Sequence, residues 1–183
     1  VLRFQNEAVG EALRSIYRDV RAGSGYQKNP AEYGAFPTDP YSHTPKGNGA
    51  RQPGMTGMVK EEILTRQAEV GLQFNEGRLE FNPYLLDAGE LLTAPKTFTY
   101  LDVFGEQQTL QLPAGSLTCF VCQTPVTVQF GKRDEIEIHY ADETCRTLSC
   151  CRLDEETSRQ IFWRNGEIKH IVVSFAQNGK VGS

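Results

Sequence analysis

The sequence has no run of lysine and arginine, no long apolar stretch and no internal repeat. Without a basic run, and with a formal net charge of -4, the chain lacks the electrostatic footprint of a nucleic-acid-binding protein. No apolar segment approaches the roughly 20 residues that a membrane-spanning helix requires. Hydrophobic residues make up 39% and charged residues 23% of the chain, which is typical of a folded globular protein. We therefore expect a folded protein that contacts neither nucleic acid nor membrane.

An initiator methionine and a signal-peptide layout are also missing at the amino terminus. Val1 leads directly into a helical pattern, so we expect the chain to be a segment of a longer protein. Its 183 residues suit one large domain or two small ones, each with a core of its own.

The cysteines are odd in number and all lie in the second half of the chain. A secreted disulfide scaffold favours an even, spaced set in a shorter chain, so buried thiols in a reducing, cytoplasmic environment are the favoured interpretation. The five positions are Cys119, Cys122, Cys145, Cys150 and Cys151.

Cys119 and Cys122 form a CxxC pair, the spacing of many zinc sites. The surrounding residues are strand-like, and residues i and i+3 of a strand point to opposite faces. A zinc knuckle needs a turn that brings both sulfurs to one ion. The sequence therefore predicts no metal site, and it indicates no cofactor.

Two amphipathic helices flank an irregular segment in the first part of the chain. Apolar residues recur at helical spacing from Phe4 to Arg21. A second helix is predicted from Thr56, a good N-cap, to Val70, with Gly71 suited to the position after its end. Ile63 and Leu64 are predicted on the buried side of this second helix.

After Gly71 the apolar period changes from that of a helix to two, which predicts strands. Asn165-Gly166 is a strong hairpin-turn signal, and Asp154–Ser158 is suited to a single helical turn. Leu117–Phe130 is predicted as either one long strand or two strands broken at Pro125. His139 and His170 fall in alternating segments, where we expect surface or edge positions. The predicted strands are Leu72–Phe74, Arg78–Phe81, Thr97–Phe104, Gln108–Leu112, Leu117–Phe130, Glu135–Tyr140, Thr147–Leu153 and Glu167–Phe175.

This order of elements predicts an α+β protein. Residues 1–71 hold two helices joined by a long loop, and residues 72–183 form an antiparallel β-sandwich, since most of the strands have no helix between them.

The irregular segment from Gly23 to Met55 contains most of the candidate binding residues. Loops of this length within compact domains are often functional. Prolines around Asp39, Tyr41 and His43 stiffen the backbone, which lowers the cost of ordering a binding edge. Arg51, Gln52 and Thr56 lie at the start of the second helix, where the N-terminus attracts anions and a phosphate or a polar sugar edge fits. A simply capped helix is an equally good interpretation of these last residues. The predicted ligand-binding set is Asp39, Tyr41, His43, Arg51, Gln52 and Thr56.

No catalytic residue is predicted. Ser42 and His43 are adjacent and lack the strand–turn–helix setting of a hydrolase nucleophile. Glu61 and Glu62 point about 100° apart on a helix, whereas glycoside cleavage needs two carboxylates across a cleft.

Two stretches carry a family resemblance: Gly49-Ala50-Arg51-Gln52-Pro53-Gly54-Met55-Thr56-Gly57 and Gly77-Arg78-Leu79-Glu80-Phe81-Asn82-Pro83. With the helix between them and the strand-rich tail, they resemble the C-terminal end of bacterial (α/α)6-barrel carbohydrate enzymes of the cellobiose and maltose phosphorylase type and their glycoside-hydrolase-like relatives. The resemblance implies that both helices belong to such a barrel and that Arg51, Gln52, Thr56 and His43 contact phosphate or sugar. The general acid of these enzymes lies upstream, so the segment is not catalytically complete alone.

The leading hypothesis is a C-terminal part of a carbohydrate-active enzyme that contributes a sugar- or phosphate-contacting loop to a cleft for glycoside cleavage. Its expected partners are a carbohydrate substrate and either the remainder of a larger chain or another subunit. The choice between hydrolysis and phosphorolysis stays open. Two alternatives remain: a non-catalytic β-sandwich carbohydrate-binding module, and a structural or assembly subunit in which the aromatic residues of the loop dock a protein.

Overall fold

A computed structural model describes residues 15–16, 63–64, 66–83, 85–86 and 88–176. The chain divides into two units, residues 1–66 and residues 67–183. In the first unit, residues 15–16, 63–64 and 66 are helical. Ile16, Ile63 and Leu64 are exposed there, so the described part of the chain does not itself provide the predicted burial of Ile63 and Leu64. An apolar stripe shows that a helix face is suited to burial, but it does not say what covers that face.

The second unit is rich in strands. Residues 67–69 are helical and lie in the segment predicted as the second helix, and Gly71 has a φ of 79°, as expected of a glycine after a helix end. In the described part of this unit, the elements in chain order are β1 (Leu72–Asn75), β2 (Arg78–Phe81), a 3-10 helix (Ala88–Glu90), β3 (Lys96–Leu101), β4 (Gln107–Leu112), β5 (Ser116–Val121), β6 (Thr124–Gly131), β7 (Glu135–Tyr140), β8 (Cys145–Leu148), α1 (Glu155–Trp163) and β9 (Ile168–Ala176).

The described strands form two separate hairpins, β1–β2 and β3–β4, and one five-stranded sheet in the order β5-β6-β9-β7-β8. The α+β class is confirmed. The antiparallel prediction is wrong for one pair, because β9 runs parallel to β6 and antiparallel to β7. The reason is the connection: α1 carries the chain from β8 back across the sheet, and such a crossover allows a strand to enter in parallel.

One face of the five-stranded sheet forms the hydrophobic core. Alternate residues of the three central strands are fully buried on this face, as the period of two predicts. The β1–β2 hairpin and α1 also contribute to the core, through Leu79 and Ile161. The buried residues of the central strands are Val126, Val128, Ile136, Ile138, Ile171 and Val173.

Backbone hydrogen bonds attach the β1–β2 hairpin to the segment that precedes α1. The amide of Phe81 donates to the carbonyl of Cys151 at 2.8 Å, and the amide of Leu153 donates to the carbonyl of Leu79 at 2.9 Å. The buried amide of Leu79 donates to the Ser158 hydroxyl at 3.1 Å. The buried backbone groups of Leu79 are therefore satisfied although β2 lies outside the main sheet.

The helix α1 is longer than the single turn predicted at Asp154–Ser158. Asp154 is its N-cap, since its Oδ1 accepts from the Thr157 amide at 2.8 Å. The helix continues to Trp163 because Ser158 and Ile161 lie on its buried side and pack against the sheet. It ends at Arg164, whose φ of 53° is left-handed.

Two turn predictions differ from the structure, one in position and one in type. The segment Leu117–Phe130 is divided into two strands, as one of the two alternatives predicts, but the break does not lie at Pro125. The β5–β6 turn consists of Cys122 and Gln123, with φ of 49° and 69°, and Pro125 lies within β6. The two residues that flank such a turn form a hydrogen-bonded pair. The next pair along the strands, Phe120 and Pro125, is therefore a non-hydrogen-bonded pair, in which β5 requires no amide from the proline. The Asn165-Gly166 signal joins α1 to β9 instead of forming a hairpin.

Two left-handed glycines permit a matched test of backbone packing. Gly71 and Gly77 have φ of 79° and 73°, but a Cβ on Gly71 would lie 2.2 Å from the backbone of Asn82, whereas a Cβ on Gly77 meets nothing within 4 Å. We expect Gly77→Ala to lower the free energy of unfolding by about 1–2 kcal/mol through strain alone. Gly71→Ala adds a backbone clash and should cost distinctly more in urea unfolding. Equal losses of stability in the two variants would contradict the close approach of the Asn82 backbone to Gly71.

Candidate functional site

The binding residues predicted from the sequence lie outside the described part of the chain. Asp39, Tyr41, His43, Arg51, Gln52 and Thr56 are therefore still predictions. The site geometry that can be described belongs to the second unit alone.

A pocket of about 240 Å³ lies where the tip of the β3–β4 hairpin meets one end of the five-stranded sheet. The turn between α1 and β9 and the turn between β5 and β6 complete its walls. The apolar part of its lining includes Phe104, Pro125 and Ile168. Its polar lining includes Tyr100, Asp102, Gln108, Gln123 and Lys169.

Asp102 organises the hairpin tip that forms one wall of the pocket. Its Oδ1 accepts from the amides of Phe104 and Glu106, each at 2.9 Å, and its Oδ2 accepts from Gln108 Nε2 at 2.9 Å. The amide of Glu106 is the largest cause of a lowered pKa at Asp102, with smaller contributions from Gln108 and Phe104. The carboxylate is therefore ionised at neutral pH, and it acts as an acceptor and not as a general acid.

Tyr100 presents a neutral hydroxyl to the pocket. Partial burial, followed by the charge of Asp102, raises the pKa of its phenol. Its ring is held by aromatic neighbours, with centroids 5.3 Å from Phe120 and 6.5 Å from Phe98. The hydroxyl is thus fixed in position and remains a hydrogen-bond donor.

Gly166 allows the hairpin tip to approach the turn before β9. A Cβ at this position would lie 2.4 Å from the ring of Phe104. Beyond this contact, Lys169 Nζ pairs with Glu143 Oε1 at 2.6 Å, and Gln123 Nε2 donates to the Asp102 carbonyl at 3.4 Å. The pocket therefore combines an anionic acceptor, two amides, a hydroxyl and an ammonium group around apolar surface, which suits a small, hydroxyl-rich ligand.

His139 and His170 lie directly opposite each other on β7 and β9, with ring centroids 5.7 Å apart. His170 Nε2 lies 2.8 Å from Thr127 Oγ1. Burial, and secondarily the proximity of His139, lowers the pKa of His170 to about 4. Neither histidine lies on an edge strand, because β9 enters the middle of the sheet and β8 covers the outer side of β7. The surface alternative holds for His139, whose side chain is partly exposed, but not for the largely buried His170.

The cysteines differ from the buried set that the sequence predicts. Cys119 and Cys122 both pack against the hydrophobic core, because the turn begins at Cys122, and the described residues contain no disulfide. Cys145 and Cys150 are exposed, since they lie on the edge strand β8 and in the turn after it. Among the described residues, one group places possible metal ligands within 4.8 Å of one another: Glu137, His139 and Cys145.

The chain matches no protein-family model and no curated protein sequence. The resemblance to (α/α)6-barrel carbohydrate enzymes therefore stays a prediction. Within the described residues, none of the helices combines the length and the apolar character needed to cross a membrane.

The hydrogen bonds of Asp102 predict a pH-dependent loss of stability. The folded-state pKa lies below the ordinary value of 3.8, so the contribution is complete above that value and is lost as the pH falls through the folded pKa. We expect Asp102→Asn to be less stable than the wild type at about pH 7 and the difference to shrink as the pH falls below 3.8, in urea unfolding at each pH.

Glu106→Gln is the matched control for Asp102→Asn. It removes a carboxylate from the same turn but keeps the backbone amide that donates to Asp102. The difference in free energy of unfolding between Glu106→Gln and the wild type should therefore not shrink on acidification as it does for Asp102→Asn. A constant difference between wild type and Asp102→Asn at every pH would show that the Asp102 charge does not stabilise the turn.

Proposed function

We propose that the chain is the C-terminal part of a carbohydrate-active protein and that its second unit carries a non-catalytic sugar-binding pocket. In this proposal the loop from Gly23 to Met55 and the start of the second helix supply further sugar or phosphate contacts through Asp39, Tyr41, His43, Arg51, Gln52 and Thr56. The observation that carries the proposal is the polar lining of the pocket around Tyr100 and Asp102.

The chemistry of the lining supports a sugar. Each sugar hydroxyl both donates and accepts hydrogen bonds, and the pocket offers an ionised acceptor in Asp102, a neutral hydroxyl in Tyr100 and amides in Gln108 and Gln123. The ring of Phe104 supplies apolar surface for the C–H face of a pyranose. Pockets for drug-sized ligands measure about 300–1,000 Å³, so a volume of about 240 Å³ suits one sugar unit.

The same residues favour binding over catalysis in this unit. Glycoside cleavage needs a carboxylic acid that stays protonated and a second carboxylate across the bond. Asp102 has the opposite property, since its pKa is lowered. In the proposal, the general acid therefore lies upstream in an (α/α)6 barrel, as the family resemblance implies.

A larger assembly is part of the proposal. Ile16, Ile63 and Leu64 are 58%, 53% and 65% exposed in the first unit, and these helical residues need cover from the remainder of a longer chain or from another subunit. We place the protein in the cytoplasm, because the exposed thiols of Cys145 and Cys150 suit a reducing compartment.

Tyr100→Phe tests the pocket with little change in packing, because it removes the hydroxyl and keeps the ring against Phe120. We expect calorimetric titration with a panel of mono- and disaccharides to identify a sugar that binds the wild type. The same sugar should bind this variant about tenfold more weakly, because one hydrogen bond to the ligand is lost. Tyr140→Phe is the control, since the Tyr140 hydroxyl bonds Arg146 and does not line the pocket. Unchanged affinity in Tyr100→Phe, or an equal loss in the control, would contradict the pocket.

Combined substitution of Tyr41→Ala and His43→Ala separates the loop from the alternatives. Loss of sugar binding supports a contribution of the loop to the carbohydrate site. Unchanged binding points to the independent β-sandwich module. If no variant binds any sugar and only complex formation with a partner subunit suffers, the assembly hypothesis is correct and the carbohydrate proposal fails.

A further inference from the structure

A second group of side chains, chemically unlike the pocket, lies on the polar face of the five-stranded sheet. We propose that Glu137, His139 and Cys145 form a binding site for a divalent transition metal, with Zn²⁺ as the best fit. This inference does not depend on the proposed sugar function, and it departs from the expectation of no metal drawn from the sequence.

The strand register brings the three residues together. His139 and Cys145 are directly opposite each other on β7 and β8, so their side chains leave the same face of the sheet. Glu137 lies two residues before His139 on β7 and therefore shares that face. The three donor atoms lie within 4.8 Å of one another. The site is thus built on paired strands, and its backbone is already ordered.

The distance between the nitrogen and oxygen donors is close to that of two ligands on one ion. His139 Nε2 and Glu137 Oε2 are 3.5 Å apart. Two ligands on a tetrahedral zinc, each at about 2.1 Å, are separated by about 3.4 Å, and a nitrogen and a sulfur ligand by about 3.6 Å. The sulfur is on the exposed residue Cys145, which has room to rotate toward the other two donors.

A contact on the neighbouring strand limits the rotation of the His139 ring. The ring stacks on His170 with an interplanar angle of 20°, and His170 is itself held by Thr127 at 2.8 Å. The stacking restricts the plane of the ring in which Nε2 lies 3.5 Å from Glu137 Oε2. Supporting contacts of this kind raise metal affinity because the ligand needs less reordering on binding.

The donor types select the metal. A thiolate and an imidazole disfavour Mg²⁺ and Ca²⁺, which prefer oxygen ligands, and a combination of nitrogen, sulfur and oxygen is typical of Zn²⁺. Three protein ligands leave a fourth position for water or for another ligand, as in zinc sites that do chemistry. The half-exposed side chains of Glu137 and His139 leave that position open to solvent.

Titration of the full chain with Co²⁺ tests the site, because cobalt reports its ligands by absorption. We expect one equivalent to produce a thiolate-to-cobalt charge-transfer band, Zn²⁺ to remove the band by displacement, and Mg²⁺ to have no effect. Cys145→Ser should abolish the band, and His139→Gln and Glu137→Gln should each weaken Zn²⁺ binding at least tenfold. Cys150→Ser is the matched control, since Cys150 is also an exposed thiol but lies outside the group.

The outcomes separate the proposed site from other thiols and from misfolding. A band that persists in Cys145→Ser, or that disappears in Cys150→Ser, would overturn the assignment. Glu137→Gln removes the negative charge of the carboxylate ligand but keeps the shape of the side chain, so it tests the site even if the cysteine variant folds poorly. The affinity of the pocket for a sugar should be the same with and without Zn²⁺. A negative result for metal binding therefore leaves the sugar-binding proposal untouched, and a negative result for sugar binding leaves the metal site untouched.

Discussion

The strand β9 occupies the centre of the five-stranded sheet, and in that sheet β6 and β7 are joined only through it. Ile171 and Val173 are fully buried on one face of β9, and the same strand supplies His170 to the other. Only three residues connect β6 to β7, but the two strands are not neighbours. The strand β9, which comes later in the sequence, lies between them. Formation of the sheet therefore depends on long-range pairing, which is slow and cooperative.

Both candidate sites depend on this insertion. The turn before β9 brings Gly166 against Phe104 and places Lys169 in the wall of the pocket. On the polar face, β9 places His170 against His139. The two sites nevertheless differ in chemistry. The pocket offers oxygen and amide groups to a neutral, hydroxyl-rich ligand, whereas Glu137, His139 and Cys145 offer the mixed donors of a transition-metal site.

The accuracy of the sequence predictions varies with the range of the interaction involved. The predicted strand Glu135–Tyr140 coincides with β7, and the predicted strand Arg78–Phe81 coincides with β2. Pro125 was misleading because whether proline disrupts a strand depends on which neighbour its nitrogen faces. Asn165-Gly166 was misleading because the same turn chemistry serves a helix–strand connection. The pocket was missed because its walls come from turns far apart in sequence, and no local pattern marks such a meeting.

The sequence by itself determined the alternation of buried and outward-facing residues along a central strand such as β7. Apolar side chains at every second position, such as Ile136 and Ile138, must leave water together, and that alternation is a property of the local chain. Only the tertiary structure decided which strands are neighbours, because pairing depends on the crossover through α1 and on the total burial of the sheet. His139 therefore meets His170 and Cys145, and Phe104 meets Gly166, through the burial of β9 and not through any pattern within their own segments.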